Sequence, residues 1–243
     1  MDPKPQSALT LHGAIIIAAT LIAVAIIYVK KPVSAPVVSS EPTIKEFNMT
    51  AVTVADHILG NPDAVVKIVE YSDPSCPYCK IFHPTMKQII EEYGPGGKVA
   101  WVYRSFPLDK PDAQGRILHI NAGTQSQAQE CAAALGSNDA FWKFTHRLYE
   151  VIQSDQGITL DNKELPIIAK YVGLDVTKFD DCVSSGRFKD KVEKSYLEGV
   201  NAGVSGTPYT VIITPSGNKI PLVGAQSYQT LKQAIDTLLS DVK

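Results

Sequence analysis

The tetrad Cys76-Pro77-Tyr78-Cys79 lies between two segments of different periodicity, and that junction limits the folds open to the chain more than any other feature. Before it, Val65–Tyr71 (VVKIVEY) is a β-branched run and reads as a strand. After it, Ile81, Phe82, Met86, Ile89, Ile90 and Tyr93 recur at the spacing of an amphipathic helix, predicted over Cys79–Tyr93. Two thiols with two residues between them, at the start of a helix, can close a small disulfide. The first sulfur then meets the positive end of the helix dipole and unpaired backbone N–H groups, which stabilise a thiolate. Pro77 suits the first helical turn, where its missing N–H would be unpaired in any case. The other reading of the tetrad is half a zinc site, but Cys131 and Cys182 lie far along the chain and are not in CxxC pairs.

The rest of the chain extends this pattern. Lys98–Phe106 is a second strand, and about ninety residues of helical pattern follow: Ile120–Leu135, Ala140–Ile152, Lys163–Val172, and Val176–Ala202 with a break near Gly186. Tyr209–Thr214 and Lys219–Val223 flank the turn Pro215-Ser216-Gly217-Asn218 and form a hairpin. Ser227–Leu239 is a closing helix with Ser227 as its N-cap. The order β-α-β, helical block, β-β-α is that of an α/β fold with a helical insertion over about residues 115–200. Gly94-Pro95-Gly96-Gly97 lacks the Lys-Ser/Thr of a phosphate-binding loop and reads as a turn.

The N-terminus is of another kind. Pro5–Val29 holds no Asp, Glu, Lys or Arg, and Leu9–Val29 supplies 21 residues, enough to span a hydrocarbon core of about 30 Å. Residues 1–31 are therefore expected to be an uncleaved transmembrane anchor. A cleaved leader is the alternative, with Val33-Ser34-Ala35 as a weak site followed directly by Pro36. Residues 32–45, rich in Pro, Ser and Val, read as an extended linker to a domain over 46–243. Lys30 and Lys31 after the span, read alone, would place that domain in the cytoplasm, although long domains translocate largely regardless of flanking charge. The formal charge is −2 for the chain and −4 for residues 32–243, which offers no electrostatic reason to bind nucleic acid.

Three further features bear on the tetrad. Pro84 sits inside the predicted helix, unless the helix begins after it and leaves Cys79 in a loop. Glu70 interrupts an apolar strand six residues before Cys76. Buried beneath the dithiol it would have a raised pKa and could exchange protons with Cys79; on an alternating strand it would point to solvent instead. Gly203-Val204-Ser205-Gly206-Thr207-Pro208 precedes a strand, and its X-Pro bond can be cis, or trans at a strand start. His12, His57, His83, His119 and His146 show no metal spacing; His83 is assigned to the surface. Trp101 and Phe141-Trp142-Phe144 are assigned to the core.

The strand, the CPYC tetrad and its proline-containing helix, the helical block, and a Gly-Thr-Pro loop before the final hairpin resemble the DsbA-type branch of the thioredoxin superfamily over roughly residues 50–240. The resemblance implies a thioredoxin fold with an inserted helical domain, acting as a thiol–disulfide oxidoreductase. It implies Cys76 as the nucleophile, Cys79 as the resolving thiol and Glu70 as the buried acid. Thr207 and Pro208 would form the loop that pairs with substrate peptide, and Pro77 and Tyr78 would tune the active site. Cys-Pro-Tyr-Cys is not the commonest tetrad of that branch and also resembles glutaredoxins.

The patterns around Cys131 and Cys182 (QECAAALG and FDDCV) are similar to relatives carrying a second, structural disulfide, with two free buried cysteines as the other reading. Such a bond would mark an oxidising compartment and place the domain outside the cell membrane. The expected partners are unfolded or reduced protein substrates and a membrane reoxidant linked to quinone, of DsbB or VKOR type, with no dissociable cofactor and no metal. The rivals are a reductase or isomerase using the same cysteines, and a holdase-type chaperone. An isomerase usually carries a dimerisation domain, for which residues 32–50 are too short; a monomer is expected.

Overall fold

The computed structural model describes residues 47–112, 114–152 and 160–240. The expected anchor (1–31) and linker (32–45) lie outside the described residues, among which no helix is long and apolar enough to cross a membrane.

Five strands form one sheet: β1 (His57–Leu59), β2 (Val66–Ser72), β3 (Val99–Ser105), β4 (Tyr209–Ile213) and β5 (Lys219–Val223), in the order β1-β3-β2-β4-β5. β2 and β3 are parallel, with Ile68 opposite Trp101, and every other pair is antiparallel. β1 is absent from the sequence reading. Three residues are too few for a periodicity, and His57–Leu59 becomes a strand because β3 offers it a free edge.

The helices are α1 (Pro77–Tyr93), α2 (Ala122–Val151), α3 (Leu165–Tyr171), α4 (Val176–Ser184), α5 (Lys189–Ala202) and α6 (Tyr228–Ser240). α2 holds the two helical stretches expected over Ile120–Leu135 and Ala140–Ile152. They meet at Gly136 and Ser137, which leave helical dihedrals, Ser137 at φ 71°. The break expected near Gly186 separates α4 from α5, and the Ser227 hydroxyl accepts from Thr230 N–H at 3.1 Å, capping α6.

Both faces of the sheet are covered, which is why β2 and β3 are buried along nearly their whole length. Val66, Ile68, Trp101 and Tyr103 face a core shared with Phe82 and Met86 of α1, Leu231 and Ile235 of α6, and Phe141, Trp142 and Phe144 of α2. Val69, Tyr71, Val102 and Val211 face the other way, against Phe47, Met49, Phe106 and Ala202. α5 approaches that side closely: a Cβ at Gly199 would lie 2.6 Å from the Phe106 ring.

Within the insertion Cys131 of α2 is bonded to Cys182 of α4, across 51 residues of sequence. On the loop-entropy account a bridge of that span contributes up to about 4 kcal/mol. The double variant Cys131→Ala/Cys182→Ala is expected to unfold at clearly lower urea, with a stability loss of about 2–4 kcal/mol. Exchange through Cys76 and Cys79 should survive in native buffer. An unchanged urea midpoint would remove the bond from the account of stability.

Candidate active site

β2 ends at Ser72, a four-residue turn follows, and α1 begins at Pro77 with Cys76 as its N-cap, in extended conformation (φ −78°, ψ 123°). The helix thus starts two residues before the predicted boundary. Pro84 lies inside it and Cys79 is helical, not part of a loop. Asp73 carbonyl accepts the Cys76 N–H at 3.1 Å, and Cys76 carbonyl accepts the Lys80 N–H at 3.1 Å. Both cysteines are free thiols; Cys76 is 3% exposed and Cys79 not at all. Tyr78 between them is 63% exposed, so the tetrad turns its aromatic ring outward and its sulfurs inward.

The two sulfurs are not equivalent. The Cys76 thiol is pulled down to about 6, first by the hydrogen bond from the Cys79 thiol, against the opposing effect of burial. The Cys79 backbone N–H, one of the unpaired donors of the helix start, adds to it. Burial pushes the Cys79 thiol well above its ordinary value, and the neighbouring Cys76 sulfur and Glu70 push the same way. At neutral pH the pair carries one negative charge, and it resides on Cys76.

Glu70 shares a strand face with Val66 and Ile68 by the two-residue period of β2, and that face is covered, not solvated. It is 1% exposed. Ser72 hydroxyl donates to Glu70 Oε1 at 2.6 Å and Trp101 Nε1 donates to Oε2 at 2.9 Å. Burial pushes its carboxyl up to about 7, the two donors resisting and the Cys76 charge adding to the rise. Ser72 hydroxyl also lies 2.9 Å from Tyr149 hydroxyl, which donates to Asp73 carbonyl at 3.1 Å. On the far side of the sulfurs, Thr207 carbonyl lies 3.4 Å from Cys76 Sγ, and the Thr207–Pro208 bond is cis. Cys76, Cys79 and Thr207, with Pro208 beside it, are thereby brought together, Pro77 and Tyr78 lie in the tetrad itself, and Glu70 is buried close enough for its charge to raise the Cys79 thiol. Cys131 and Cys182 are held by each other.

Sequence reasoning misses Ser72, Asp73, Tyr149 and the polar role of Trp101. Trp101 shows only as an aromatic in an apolar strand; its place beside Glu70 comes from the β2–β3 register. Tyr149 reaches Ser72 across 77 residues and His119 Nδ1 reaches Asp73 Oδ2 across 46, and no local spacing signals either. His83 corrects an expectation: assigned to the surface, it is 4% exposed, packed on Trp101 and Tyr149, with Nε2 2.7 Å from His146 Nδ1. It falls on the buried stripe of α1 beside Phe82 and Met86. Burial pushes His83 well below the ordinary histidine value and His146 to about 4, so both rings are neutral at pH 7.

The sequence model of the thioredoxin family matches residues 52–237. A protein of Bacillus anthracis described as a probable disulfide bond formation protein D is 29% identical over 181 residues, which is 73% of this chain and 76% of that one. Among solved structures, oxidised BdbD from Bacillus subtilis aligns with a TM-score of 0.66 at 20% identity, covering 80% of this chain and 99% of the other. Wolbachia pipientis alpha-DsbA1 aligns with a TM-score of 0.64 at 22% identity, covering 78% and 94%. These two likenesses are of fold.

The Glu70 carboxyl has a direct consequence for stability. Between its ordinary value near 4.5 and its folded value of about 7, the folded chain holds a proton that the unfolded chain releases. Stability therefore falls as pH rises through that window, by roughly 3 kcal/mol once the window is passed. Glu70→Gln removes this dependence. Relative to the native chain, the variant should gain stability between pH 5 and pH 8 in urea titrations; parallel curves would show that Glu70 titrates normally.

Proposed function

This chain belongs to the thioredoxin family, and on that premise we propose that it is an extracytoplasmic oxidase that introduces disulfides into translocated proteins through Cys76 and Cys79. It is a protein thiol–disulfide oxidoreductase. The observation that supports this reading is the asymmetry of the two sulfurs: a low-pKa thiol that can attack and leave, and a high-pKa thiol buried behind it, with a carboxyl near neutrality in reach of its charge.

In the oxidised protein a substrate thiolate attacks Cys76 Sγ, and the Cys76–Cys79 bond breaks with its electron pair on Cys79. Cys79 cannot stay charged where it is buried. Glu70, whose carboxyl burial pushes up to about 7, supplies the proton and takes it back when the Cys76–Cys79 disulfide is re-formed. A second substrate thiolate then attacks the substrate sulfur of the mixed disulfide and expels Cys76. The stabilised Cys76 thiolate is the better leaving group, which favours release of an oxidised substrate. Two substrate thiols become a disulfide and the protein is left as a dithiol.

Thr207 and Pro208 border Cys76 from the β4 side, where the Thr207 backbone can pair with an extended substrate segment. The Cys131–Cys182 bond supports an oxidising compartment, hence a catalytic domain outside the membrane to which the N-terminal segment tethers it. The family resemblance supports a quinone-linked membrane partner of DsbB or VKOR type as reoxidant of Cys76 and Cys79.

Cys76→Ser should abolish oxidation of a dithiol peptide, which a chaperone acting through its surface alone would not show. Cys79→Ala should accumulate a mixed disulfide between Cys76 and substrate, visible by mass. The reduction potential of the Cys76–Cys79 pair decides the direction. On a scale running from about −270 mV for thioredoxin to about −120 mV for DsbA, a value towards the oxidising end is expected. A value at the reducing end would make the protein a reductase.

A further inference from the structure

The tetrad holds no basic residue between its cysteines, yet the turn that joins β2 to it begins with a fully buried acid, Asp73, three residues before Cys76. Asp73 Oδ1 accepts Ser75 N–H at 2.6 Å, and Oδ2 accepts Leu108 N–H at 2.7 Å. The remaining partner of Oδ2 is His119 Nδ1, at 2.8 Å, from the loop between β3 and α2. His119 is itself tied down: its N–H donates to Leu108 carbonyl and its carbonyl accepts Ala122 N–H, both at 3.0 Å. Its side chain is 15% exposed, between the exposed Leu118 and Ile120. The loop's other charges are engaged elsewhere: Lys110 pairs with Asp109 at 3.1 Å and with Glu193 at 2.8 Å, and Arg116 with Asp112 at 2.7 Å.

We propose that His119 is a positioning residue for the reaction, an imidazolium clamped by Asp73 that supplies the positive charge near Cys76 which Pro77-Tyr78 does not. This rests on the reading of Cys76 as the attacking and leaving sulfur. The physical case is one of charge balance. A buried Asp73 carboxylate alone opposes a second negative charge on Cys76, and it does raise the Cys76 thiol. An imidazolium on the same carboxylate cancels that opposition and leaves its positive ring in the field of the sulfur. Burial works against the charged ring, but the Asp73 bond and charge, with the Cys76 charge behind them, hold His119 above the ordinary histidine value. Asp73 is the ionisable group in contact with the ring, and the same residue holds Cys76 through its carbonyl, which accepts Cys76 N–H at 3.1 Å. Asp73 also fixes the turn through Ser75 and Leu108, so one carboxylate sets both the place of the sulfur and the place of its counter-charge.

The test uses the full chain in its reduced form, with the Cys76 thiolate followed by its ultraviolet absorbance against pH and the Cys76→Ser chain as background. His119→Asn keeps a donor for Asp73 and removes the charge; His119→Ala removes both. Each should move the Cys76 midpoint up by about one pH unit, a tenfold loss of thiolate below it. A native midpoint in His119→Asn would overturn the proposal, leaving His119 as a tether alone. A second measurement needs no change at His119. Because coupling is reciprocal, the His119 ring resonances should titrate lower in the Cys76→Ser chain than in the reduced native chain. Equal midpoints there would overturn the proposal equally. Oxidation of a dithiol peptide by the native chain is assayed alongside. If that fails while both shifts are present, the oxidase reading falls and the role of His119 stands.

Discussion

β2 is hydrogen-bonded to a neighbour along each edge and packed on each face, and its C-terminal end is the fixed point from which the reactive groups are suspended. A central strand of this kind cannot slide or twist without breaking two ladders at once. The turn that follows it is therefore held as firmly as the strand, and Cys76 is delivered to the first position of α1 with little freedom. Ser72 carbonyl is taken by Phe106 N–H at 2.8 Å, Asp73 carbonyl by Cys76 N–H and Asp73 carboxylate by Leu108 N–H. The chemistry depends on this rigidity. A thiol is stabilised as an anion only when the donors around it are already in place.

The site is an arrangement of acids set apart by their surroundings. Glu70 and Cys79 are fully buried and Cys76 is slightly less so; burial raises the first two, while the Cys79 thiol and the helix start outweigh burial and lower the third. Glu70 is tolerated because Ser72 and Trp101 satisfy both its oxygens, and because the protonated form avoids the cost of an uncompensated charge. Its proximity to neutrality is the useful result: the same group can give a proton to Cys79 and take it back within the physiological range. The insertion contributes more than a cover for the sulfurs. Tyr149 of α2 closes the hydroxyl chain with Ser72, and Trp142 packs against Trp101 with ring centroids 4.7 Å apart.

Residues whose role is local could be read from the chain alone. The strand before the tetrad, the helix after it and the hairpin at Tyr209–Val223 follow from period and from turn residues, and the structure moves their ends by one or two positions. Cys76 and Cys79 identify themselves by spacing. Pro77 is legible because a helix start tolerates it. Glu70 stands out as the one carboxylate in an apolar strand, though the choice between core and solvent depends on whether the second face of the sheet is covered. His83 escapes a sequence reading for a related reason: a histidine at a helical position reads as polar, and only the packing of Trp101 and Tyr149 around it makes that position part of the core.

What the sequence by itself determined is the pair of redox sulfurs, the α/β order that carries them and the presence of a helical insertion, since each is written in residue types a few positions apart. The tertiary structure alone decided the environment of those sulfurs. Trp101 reaches Glu70 through strand register, Tyr149 and His119 arrive from the insertion and the loop that leads into it, and Thr207 comes from 131 residues beyond Cys76. Proton affinity is set by burial and by neighbours within a few ångströms, and those neighbours are chosen by chain closure over distances to which local pattern is blind.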